Sequence, residues 1–459
     1  MTDKKYDAIV IGCGMGGMVT ALMLANRGKK VVILEKNKFP GGRLRSYKKQ
    51  GFTVDVGCHT ISRGSKGPAV WPLERCGYEN PIKFNVVRPM SRFRGETFKF
   101  PRDLKGKIPD EDYKGILSFF NDVKNFPKSM IPLLDKYTTE EMLDQYTKDE
   151  QCRGGVGRAC GMYGGTPQWL FSAGEFVRCM QWEAECLSSG YPDGGCEAIT
   201  DAYVKAIGEQ GGEIELGKGV EQILIEDGKA VGVKCEDGDV YKADIVVSNA
   251  DLQFTMLHLV GEDNLPADYV ERMKNLIWGN AGQVFKVGLD TQYTDIKMLT
   301  QFADMGYRDY FNMLSRGEVP DDLNLMFVCA SNFSPQCAPE GCQLWAVALA
   351  LPQDAPVGTA EKLLPVIKKT LDGWFPGWQE HVMWEEYTTS DQFGTYLGEH
   401  GASIGLAQCP GQISETRPSQ KTPIENLYQV GAEAGGHGAG IELAANSALE
   451  LVDGFLKDF

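Results

Sequence analysis

The stretch YDAIVIGCGMGGMVTALMLANRGKKVVILE, residues 6–35, decides the fold of this chain. Its apolar run at residues 8–11 predicts a buried strand, and the run at residues 31–35 predicts a second strand. Between them lie a glycine-rich turn and a periodic stretch that predicts a helix ending near Arg27. Strand, glycine turn, helix and strand in this order are typical of the first unit of a dinucleotide-binding α/β fold.

The glycines and the acid of this stretch stand where a bound dinucleotide requires them. Gly12 permits a tight turn after the strand, Gly14 lets the backbone approach a pyrophosphate, and Gly17 lets the helix pack against the sheet. Glu35 ends the second strand, where a carboxylate accepts hydrogen bonds from ribose hydroxyls. A glycine motif alone would be weak evidence, but both strands and the acid complete the fingerprint. The predicted nucleotide-contacting residues are Gly12, Gly14, Met15, Gly16, Gly17, Glu35 and Lys36.

The composition of the 459-residue chain is that of a globular enzyme with two or three domains. A formal net charge of -15 argues against a nucleic-acid partner and against electrostatic attachment to anionic lipid. No apolar run is as long as a spanning helix, so any membrane contact is expected to be peripheral. The 13 cysteines are scattered without a CxxC pair and no signal peptide is recognised, so a cytoplasmic protein is expected. The sequence contains no metal-ligand spacing and leaves the oligomeric state open.

Three further blocks extend the fingerprint. Gly41-Gly42-Arg43 follows the second predicted strand, and residues 191–251 contain short β-branched runs separated by Asp-Gly turns. The closing block, residues 417–448, contains Gly431-Ala432-Glu433 and Gly440-Ile441. Together these blocks resemble the FAD-dependent amine-oxidase and phytoene-desaturase superfamily. The closing block is most similar to the branch of phytoene desaturases and carotenoid isomerases.

The resemblance implies an α/β fold with a discontinuous, Rossmann-like FAD-binding domain and an inserted α+β substrate domain. We expect residues 1–85, 190–255 and 400–459 to form the FAD-binding domain. Residues 86–189 and 256–399 are then expected to form the substrate domain. FAD is the expected cofactor.

The resemblance also implies FAD contacts outside the fingerprint, at Gly42, Arg43, Val220, Gly431, Glu433, Gly440 and Ile441. Arg43 is expected to lie against the pyrophosphate, because a guanidinium fork suits phosphate oxygens. Val220 is expected at the adenine end, although a role in the strand core is an equal alternative. Glu433 is expected to face the ribityl and phosphate part, with a surface or capping role as the alternative. The helix that begins near Gly440 should direct its amides at the pyrimidine edge of the flavin.

Four residues are candidates for catalysis. Glu442 and Leu443 stand where the desaturase pattern usually reads Pro-Gly. Glu442 is therefore expected near the ring or substrate as an acid, a base or a hydrogen-bond partner, with stabilisation of the first helical turn as an equal alternative. His59 follows a segment that returns toward the flavin in this superfamily, with a structural histidine as the alternative. Lys286 matches a lysine that binds water near the flavin of many amine oxidases, or it is a solvated strand residue. His437 lies in the closing block and is a further candidate.

The leading hypothesis is an FAD-dependent oxidoreductase that acts on carbon-carbon bonds of a small apolar or conjugated molecule, as a desaturase or saturase. The alternatives are a flavin amine oxidase, a redox-neutral FAD-dependent isomerase and a protein in which FAD is structural. An amine oxidase needs aromatic side chains around the amine, for which composition offers only Trp345, Trp384, Tyr387 and Tyr396. No second nucleotide fingerprint is present, so oxygen, a quinone or a protein carrier is the expected electron acceptor.

Overall fold

The computed structural model describes residues 4–57, 60–390, 392 and 401–459. Within these residues the chain forms two seven-stranded sheets and two short two-stranded ones. In chain order the strands are β1 (Lys4–Ile11), β2 (Val31–Glu35), β3 (Ser46–Lys49), β4 (Phe52–Asp55), β5 (Phe84–Val86), β6 (Met90–Phe93), β7 (Glu96–Phe98), β8 (Gly190–Pro192), β9 (Glu213–Leu216), β10 (Val220–Glu226), β11 (Lys229–Cys235), β12 (Val240–Ser248), β13 (Ala281–Leu289), β14 (Met298–Phe302), β15 (Leu325–Cys329), β16 (Gln343–Leu351), β17 (Val382–Thr388) and β18 (Leu427–Gln429).

Helices cover both large sheets. The α-helices are α1 (Met15–Ala25), α2 (Trp71–Arg75), α3 (Asp110–Asn125), α4 (Thr139–Leu143), α5 (Glu150–Gly164), α6 (Ala173–Cys186), α7 (Glu197–Glu209), α8 (Ala267–Lys274), α9 (Tyr307–Ser315), α10 (Ala330–Phe333), α11 (Thr359–Trp374) and α12 (Ile441–Asp453). A π-helix spans Phe254–Gly261. Across the described ranges, we find no helix that combines the length and the apolar character needed to cross a bilayer.

The first sheet has the strand order β10-β11-β12-β1-β2-β9, and β18 lies beside the end of β12. Strands β1, β2, β9, β12 and β18 run parallel to one another, whereas β11 pairs antiparallel with both β10 and β12. One face of β1 packs on α1, α7 and α12, and the other packs under the β10-β11 hairpin and the π-helix. Because both faces are covered, β1 and β2 are apolar without alternation. The predicted Rossmann-like α/β fold is confirmed.

The second sheet has the order β17-β13-β16-β15-β14-β6-β7 and is antiparallel apart from the β14-β6 pair. Helices α9 and α11 pack on one of its faces, and helices α3 to α6 form a separate apolar cluster. The chain that follows residue 255 does not leave the first sheet at once. Met256, Leu259 and Met273 lie in the same cluster as β1, so the packing of the first sheet extends past the predicted boundary. The assignment of ranges to two domains stays a prediction.

Candidate active site

A cavity of about 860 Å³ lies between the two large sheets. Its first part, which we call the nucleotide section, is lined by residues that follow the carboxyl ends of the parallel strands: Gly12, Glu35, Asn249, Gly431 and Glu433. Its second part, the substrate section, is lined by the second sheet and by α5 and α9: Arg158, Met162, Met298, Phe311, Leu325, Met326 and Leu349. In open α/β sheets, ligands bind beyond the carboxyl ends of the strands, which is where the nucleotide section lies.

The fingerprint glycines allow the turn to pack closely on itself and against Asn249. Gly12 has a φ of +91°, a backbone conformation that residues with a side chain rarely adopt. A Cβ at position 17 would lie 2.2 Å from the Gly12 carbonyl oxygen, and one at position 14 would lie 2.7 Å from the Asn249 amide nitrogen. Gly14 and Met15 line the cavity, whereas Gly16 and Gly17 are absent from its lining. Their predicted nucleotide contacts stay predictions, but the turn they build opens onto the cavity.

The Glu35 carboxylate lies in the nucleotide section and is held by three donors. Its Oε1 accepts hydrogen bonds from the backbone and side-chain nitrogens of Asn37, both at 2.8 Å. Its Oε2 accepts one from the Cys13 amide at 2.8 Å. A carboxylate oxygen accepts about two hydrogen bonds, so Oε2 retains capacity for a ligand hydroxyl. The neighbouring Lys36 is exposed and lines the same section.

Arg43 and Glu433 face each other in the nucleotide section. The Arg43 guanidinium lies 3.8 Å from the Glu433 carboxylate and donates to the Ala402 carbonyl at 3.2 Å. The Glu433 carboxylate also accepts a hydrogen bond from the Leu252 amide at 2.6 Å. Burial, together with the nearby Asp251, raises the pKa of Glu433 to about 8, although Arg43 acts in the opposite direction. Gly42 and Gly431 line the cavity beside this pair, and Val220 lines it at the start of β10.

The beginning of α12 opens onto the cavity, because Gly440, Ile441 and Glu442 all line it. Gly440 caps the helix with a φ of +49° and a ψ of -108°. The Glu442 carboxylate is buried, forms an ion pair with Arg63 and accepts a hydrogen bond from the Ala439 amide at 3.2 Å. Burial raises the pKa of Glu442, and the Arg63 charge opposes that rise.

Arg63 is itself held between aromatic rings. Its guanidinium carbon lies 4.5 Å from the ring centre of Trp182 and 5.1 Å from that of Trp71. This arrangement fixes the Glu442 carboxylate at the cavity wall. Both roles predicted for Glu442, in proton chemistry and in stabilising the helix start, remain compatible with these contacts.

His437 lies outside the cavity lining, in a buried charge network. Its Nδ1 lies 2.8 Å from the Glu175 carboxylate, which also accepts from the Gly438 amide at 2.6 Å. Arg178 lies 3.2 Å from the same carboxylate and pairs with Asp135 at 2.7 Å. Burial alone would raise the pKa of Glu175, but His437, Arg178 and the Gly438 amide lower it. These contacts assign His437 to holding the loop before α12, and the structure gives no contact with the cavity.

Lys286 also lies away from the main cavity. It is 2% exposed and lines a separate small pocket beside Asp55 and Tyr191. Its ammonium lies 3.5 Å from the Glu386 carboxylate and 3.4 Å from the Tyr47 hydroxyl. Burial lowers the pKa of Lys286, and Glu386 opposes this effect. The partners of the ammonium lie outside the lining of the main cavity, and the predicted position of Lys286 beside the flavin stays a prediction. His59 lies outside the described residues.

Comparison with known proteins identifies the family. The sequence model of the family described as flavin containing amine oxidoreductase matches residues 15–453. The chain belongs to this family. A phytoene desaturase (lycopene-forming) from Pseudescherichia vulneris is 25% identical over 491 residues, covering 98% of this chain and 99% of that protein. The chloroplastic prolycopene isomerase from Daucus carota is 25% identical over 488 residues, covering 94% and 76%.

Solved structures share the fold. An oxidoreductase from Methanosarcina mazei has a TM-score of 0.77 and 23% identity, with 98% of this chain and 100% of that chain covered. Putrescine oxidase bound to putrescine has a TM-score of 0.70 and 14% identity, covering 99% and 100%. At these identities the likeness concerns the fold alone.

This member of the flavin family is an FAD-dependent oxidoreductase, and its nucleotide section fits the cofactor. The glycine turn at the start of α1 suits a pyrophosphate, and the Oε2 atom of Glu35 can accept a further hydrogen bond from a ribose hydroxyl. Arg43 supplies a cation, and the start of α12 supplies the positive end of a helix dipole. When bound, FAD supplies the acceptor or donor of a hydride.

Three contributors to the cavity were not recognised in the sequence. The Asn249 side chain lies against the fingerprint turn, close to Gly14 and Gly16, and only its position after a parallel strand could have pointed to it. Arg63 pairs with a residue 379 positions away, for which the sequence carries no signal. Arg158 stands in a glycine-containing helix whose contribution to the cavity depends on the packing of α5 against the second sheet.

Proposed function

We propose that this FAD-dependent oxidoreductase removes hydrogen from, or adds it to, a carbon-carbon bond of an apolar or conjugated substrate. The observation that carries the proposal is the apolar wall of the substrate section, which continues directly from the nucleotide section. Phe311, Leu325 and Leu349 are buried side chains that line the cavity. Relatives named phytoene desaturase and prolycopene isomerase support the same class of substrate.

The side chains of the cavity would act by binding and by excluding water. Apolar walls hold an apolar chain by removing its surface from water, and they would orient a carbon-hydrogen bond for reaction. The start of α12 would stabilise negative charge at the pyrimidine edge of a reduced flavin. Both contributions come from the chain itself and need no additional catalytic group.

The amine-oxidase alternative receives less support from the described residues. Trp345 and Trp384 are buried in apolar clusters of the second sheet, and the Tyr387 hydroxyl donates to the Ala360 carbonyl at 2.8 Å. None of these three side chains lines the main cavity, and Tyr396 lies outside the described residues. An aromatic cage for an amine therefore has no candidates among the described members of the predicted set.

A redox-neutral isomerisation is favoured by one observation. Glu442 lines the cavity, and burial raises the pKa of its carboxyl group, which suits a group that holds a proton near the substrate. Glu442→Gln keeps the shape and a hydrogen-bond acceptor but cannot deliver that proton. If isomerisation is the reaction, this variant should lose turnover while it retains bound FAD and normal flavin reduction by dithionite.

Anaerobic reduction of the bound FAD tests the main proposal. We expect phytoene in detergent micelles to bleach the oxidised flavin spectrum, or a conjugated polyene to reoxidise the reduced flavin. Putrescine and benzylamine should leave the spectrum unchanged. Bleaching by an amine and not by phytoene would replace the proposal with an amine oxidase. Substrate-dependent double-bond rearrangement without net flavin reduction would favour the isomerase.

A further inference from the structure

Arg158 carries a charge that the described part of the chain does not neutralise. It lies on α5 and lines the substrate section of the cavity. Its guanidinium donates one hydrogen bond, to the Leu325 carbonyl of β15 at 3.1 Å. Its guanidinium carbon lies 5.1 Å from the ring centre of Phe302. In the described ranges, no carboxylate comes within ion-pair distance of this arginine.

The groups around Arg158 do not supply the missing negative charge. Tyr307 and Tyr310 are the ionisable neighbours that influence the pKa of Arg158, which burial lowers from its ordinary value. Burial raises the pKa values of both tyrosines, so their phenols remain neutral. Arg158 is half-buried at the cavity, and a guanidinium in largely apolar surroundings is ordinarily paired with an anion, because leaving it unpaired costs free energy. The unpaired guanidinium therefore points to a partner that is not part of the described chain.

The other arginines at the cavity differ from Arg158. Arg43 faces the carboxyl group of Glu433 at 3.8 Å in the nucleotide section and donates to the Ala402 carbonyl, so its guanidinium has an acidic side chain beside it. Arg88 lines the cavity but is exposed, so water solvates and screens its charge. Of these three, Arg158 combines partial burial, an apolar surrounding and the lack of a described carboxylate partner.

We propose that the substrate carries a carboxylate at one end of its apolar or conjugated chain, and that Arg158 binds this carboxylate. The inference rests on the proposed function and narrows it to an amphipathic acid. The planar guanidinium retains donors beside the one used on Leu325, and two parallel donors match the two oxygens of a carboxylate. Phe302 beneath the guanidinium and Leu325 beside it would hold the fork in place while the apolar wall takes the hydrocarbon part. Arg158 would thus be a specificity-determining residue that fixes which end of the chain enters first.

Equilibrium binding to the FAD-loaded protein tests this assignment. The probes are sorbic acid and all-trans-retinoic acid, a short and a long conjugated acid, each paired with its methyl ester. We expect the unaltered protein to bind at least one acid about 10- to 100-fold tighter than its ester, the value of a desolvated charge-assisted pair. Arg158→Met should reduce the affinity for that acid to the level of the ester and leave the ester affinity unchanged. Arg158→Lys, which keeps the charge but loses the fork, should retain part of the preference.

Arg88→Met is the matched control, since it removes an exposed arginine from the same cavity. It should leave the preference for the acid intact. Equal affinities for acid and ester in the unaltered protein would overturn the carboxylate assignment while leaving the apolar-substrate proposal in place. Loss of the preference in Arg88→Met and not in Arg158→Met would overturn it as well. Failure of all four probes to bind would refute both proposals together. Flavin content and melting temperature check that each variant is folded. If Arg158→Met loses FAD, the affinities of Arg158→Lys for acid and ester test the assignment instead.

Discussion

The two sections of the cavity differ in how their charged side chains are paired. In the nucleotide section, Glu35 is held by three donors and Arg43 faces Glu433, and at the start of α12 Glu442 pairs with Arg63. In the substrate section the wall is apolar, and Arg158 has no carboxylate partner among the described residues. The nucleotide section is thus organised by the protein itself before any ligand arrives. The substrate section leaves one charge to be matched by what enters it.

The difference reflects what each section binds. A cofactor presents the same phosphates and hydroxyls at every turnover, so its contacts can be fixed in the fold by mutual pairing. A substrate must enter and leave, and an apolar wall with one anchoring charge binds it without a rigid polar frame. Changing charges in each section should therefore have different consequences for stability.

Breaking the Arg63–Glu442 pair should have the largest effect on stability. Arg63→Met leaves a buried carboxylate without its cation, which costs about 3 to 5 kcal/mol of unfolding free energy. Arg75→Met, which breaks an exposed pair with Asp453, should cost about 0 to 1 kcal/mol. Arg158→Met should stay within about 1 kcal/mol, because no described pair is broken. Urea denaturation measures all three, and equal losses in Arg63→Met and Arg158→Met would remove the contrast between the sections.

Adding a side chain to the fingerprint turn at Gly17 should have the next largest effect on stability. Gly17→Ala places a Cβ 2.2 Å from the Gly12 carbonyl oxygen, so α1 must shift away from the sheet. We expect a loss of about 1 to 3 kcal/mol and purification without bound flavin. Gly208→Ala on α7 meets no atom within 4 Å and should instead stabilise the protein by about 0.5 to 1 kcal/mol. Full flavin content in Gly17→Ala would show that this turn does not contact the cofactor.

Titration of Glu433 should have a smaller effect, visible in the FAD-free protein. The folded pKa of about 8 lies above the ordinary 4.5, so the folded protein holds a proton in this range that the unfolded chain has lost. Stability should therefore fall as the pH rises from about 4.5 through about 8. Glu433→Gln removes this dependence, so its advantage in unfolding free energy over the unaltered protein should grow as the pH rises from about 4.5 toward about 8. The same pH dependence of stability in Glu433→Gln and in the unaltered protein would show that Glu433 ionises with an ordinary pKa.

Replacing Lys286 should have the smallest effect. Its ammonium is engaged by Glu386 and Tyr47 outside the cavity lining, so Lys286→Met should change the rate of flavin reoxidation by oxygen less than about twofold. Stopped-flow mixing of the reduced protein with oxygen measures this rate. A tenfold fall with unchanged flavin content would restore the predicted role beside the flavin and place a catalytic group on the second sheet.

Much of the nucleotide section could be predicted from the sequence. Gly12, Gly14, Glu35, Arg43 and Glu433 were all expected near FAD, and all line the cavity. Gly12, Gly14 and Glu35 were recognisable because each stands at a fixed place relative to a strand end, whereas Arg43 and Glu433 were expected from the resemblance to the flavin family. The candidates for catalysis are scattered, and their roles stay predictions. Glu442 lies at the cavity, Lys286 and His437 do not, and His59 is outside the described residues.

The βαβ unit and the position of its glycines and acid follow from local sequence, because backbone conformation and apolar periodicity act over a few residues. Only the tertiary structure decided that Arg63 pairs with Glu442 and that Asn249 closes the glycine turn. It also decided that Arg158 lies at the cavity without a described carboxylate partner. The physical reason is that burial and charge pairing depend on which distant segments pack together, and that packing is a property of the whole fold.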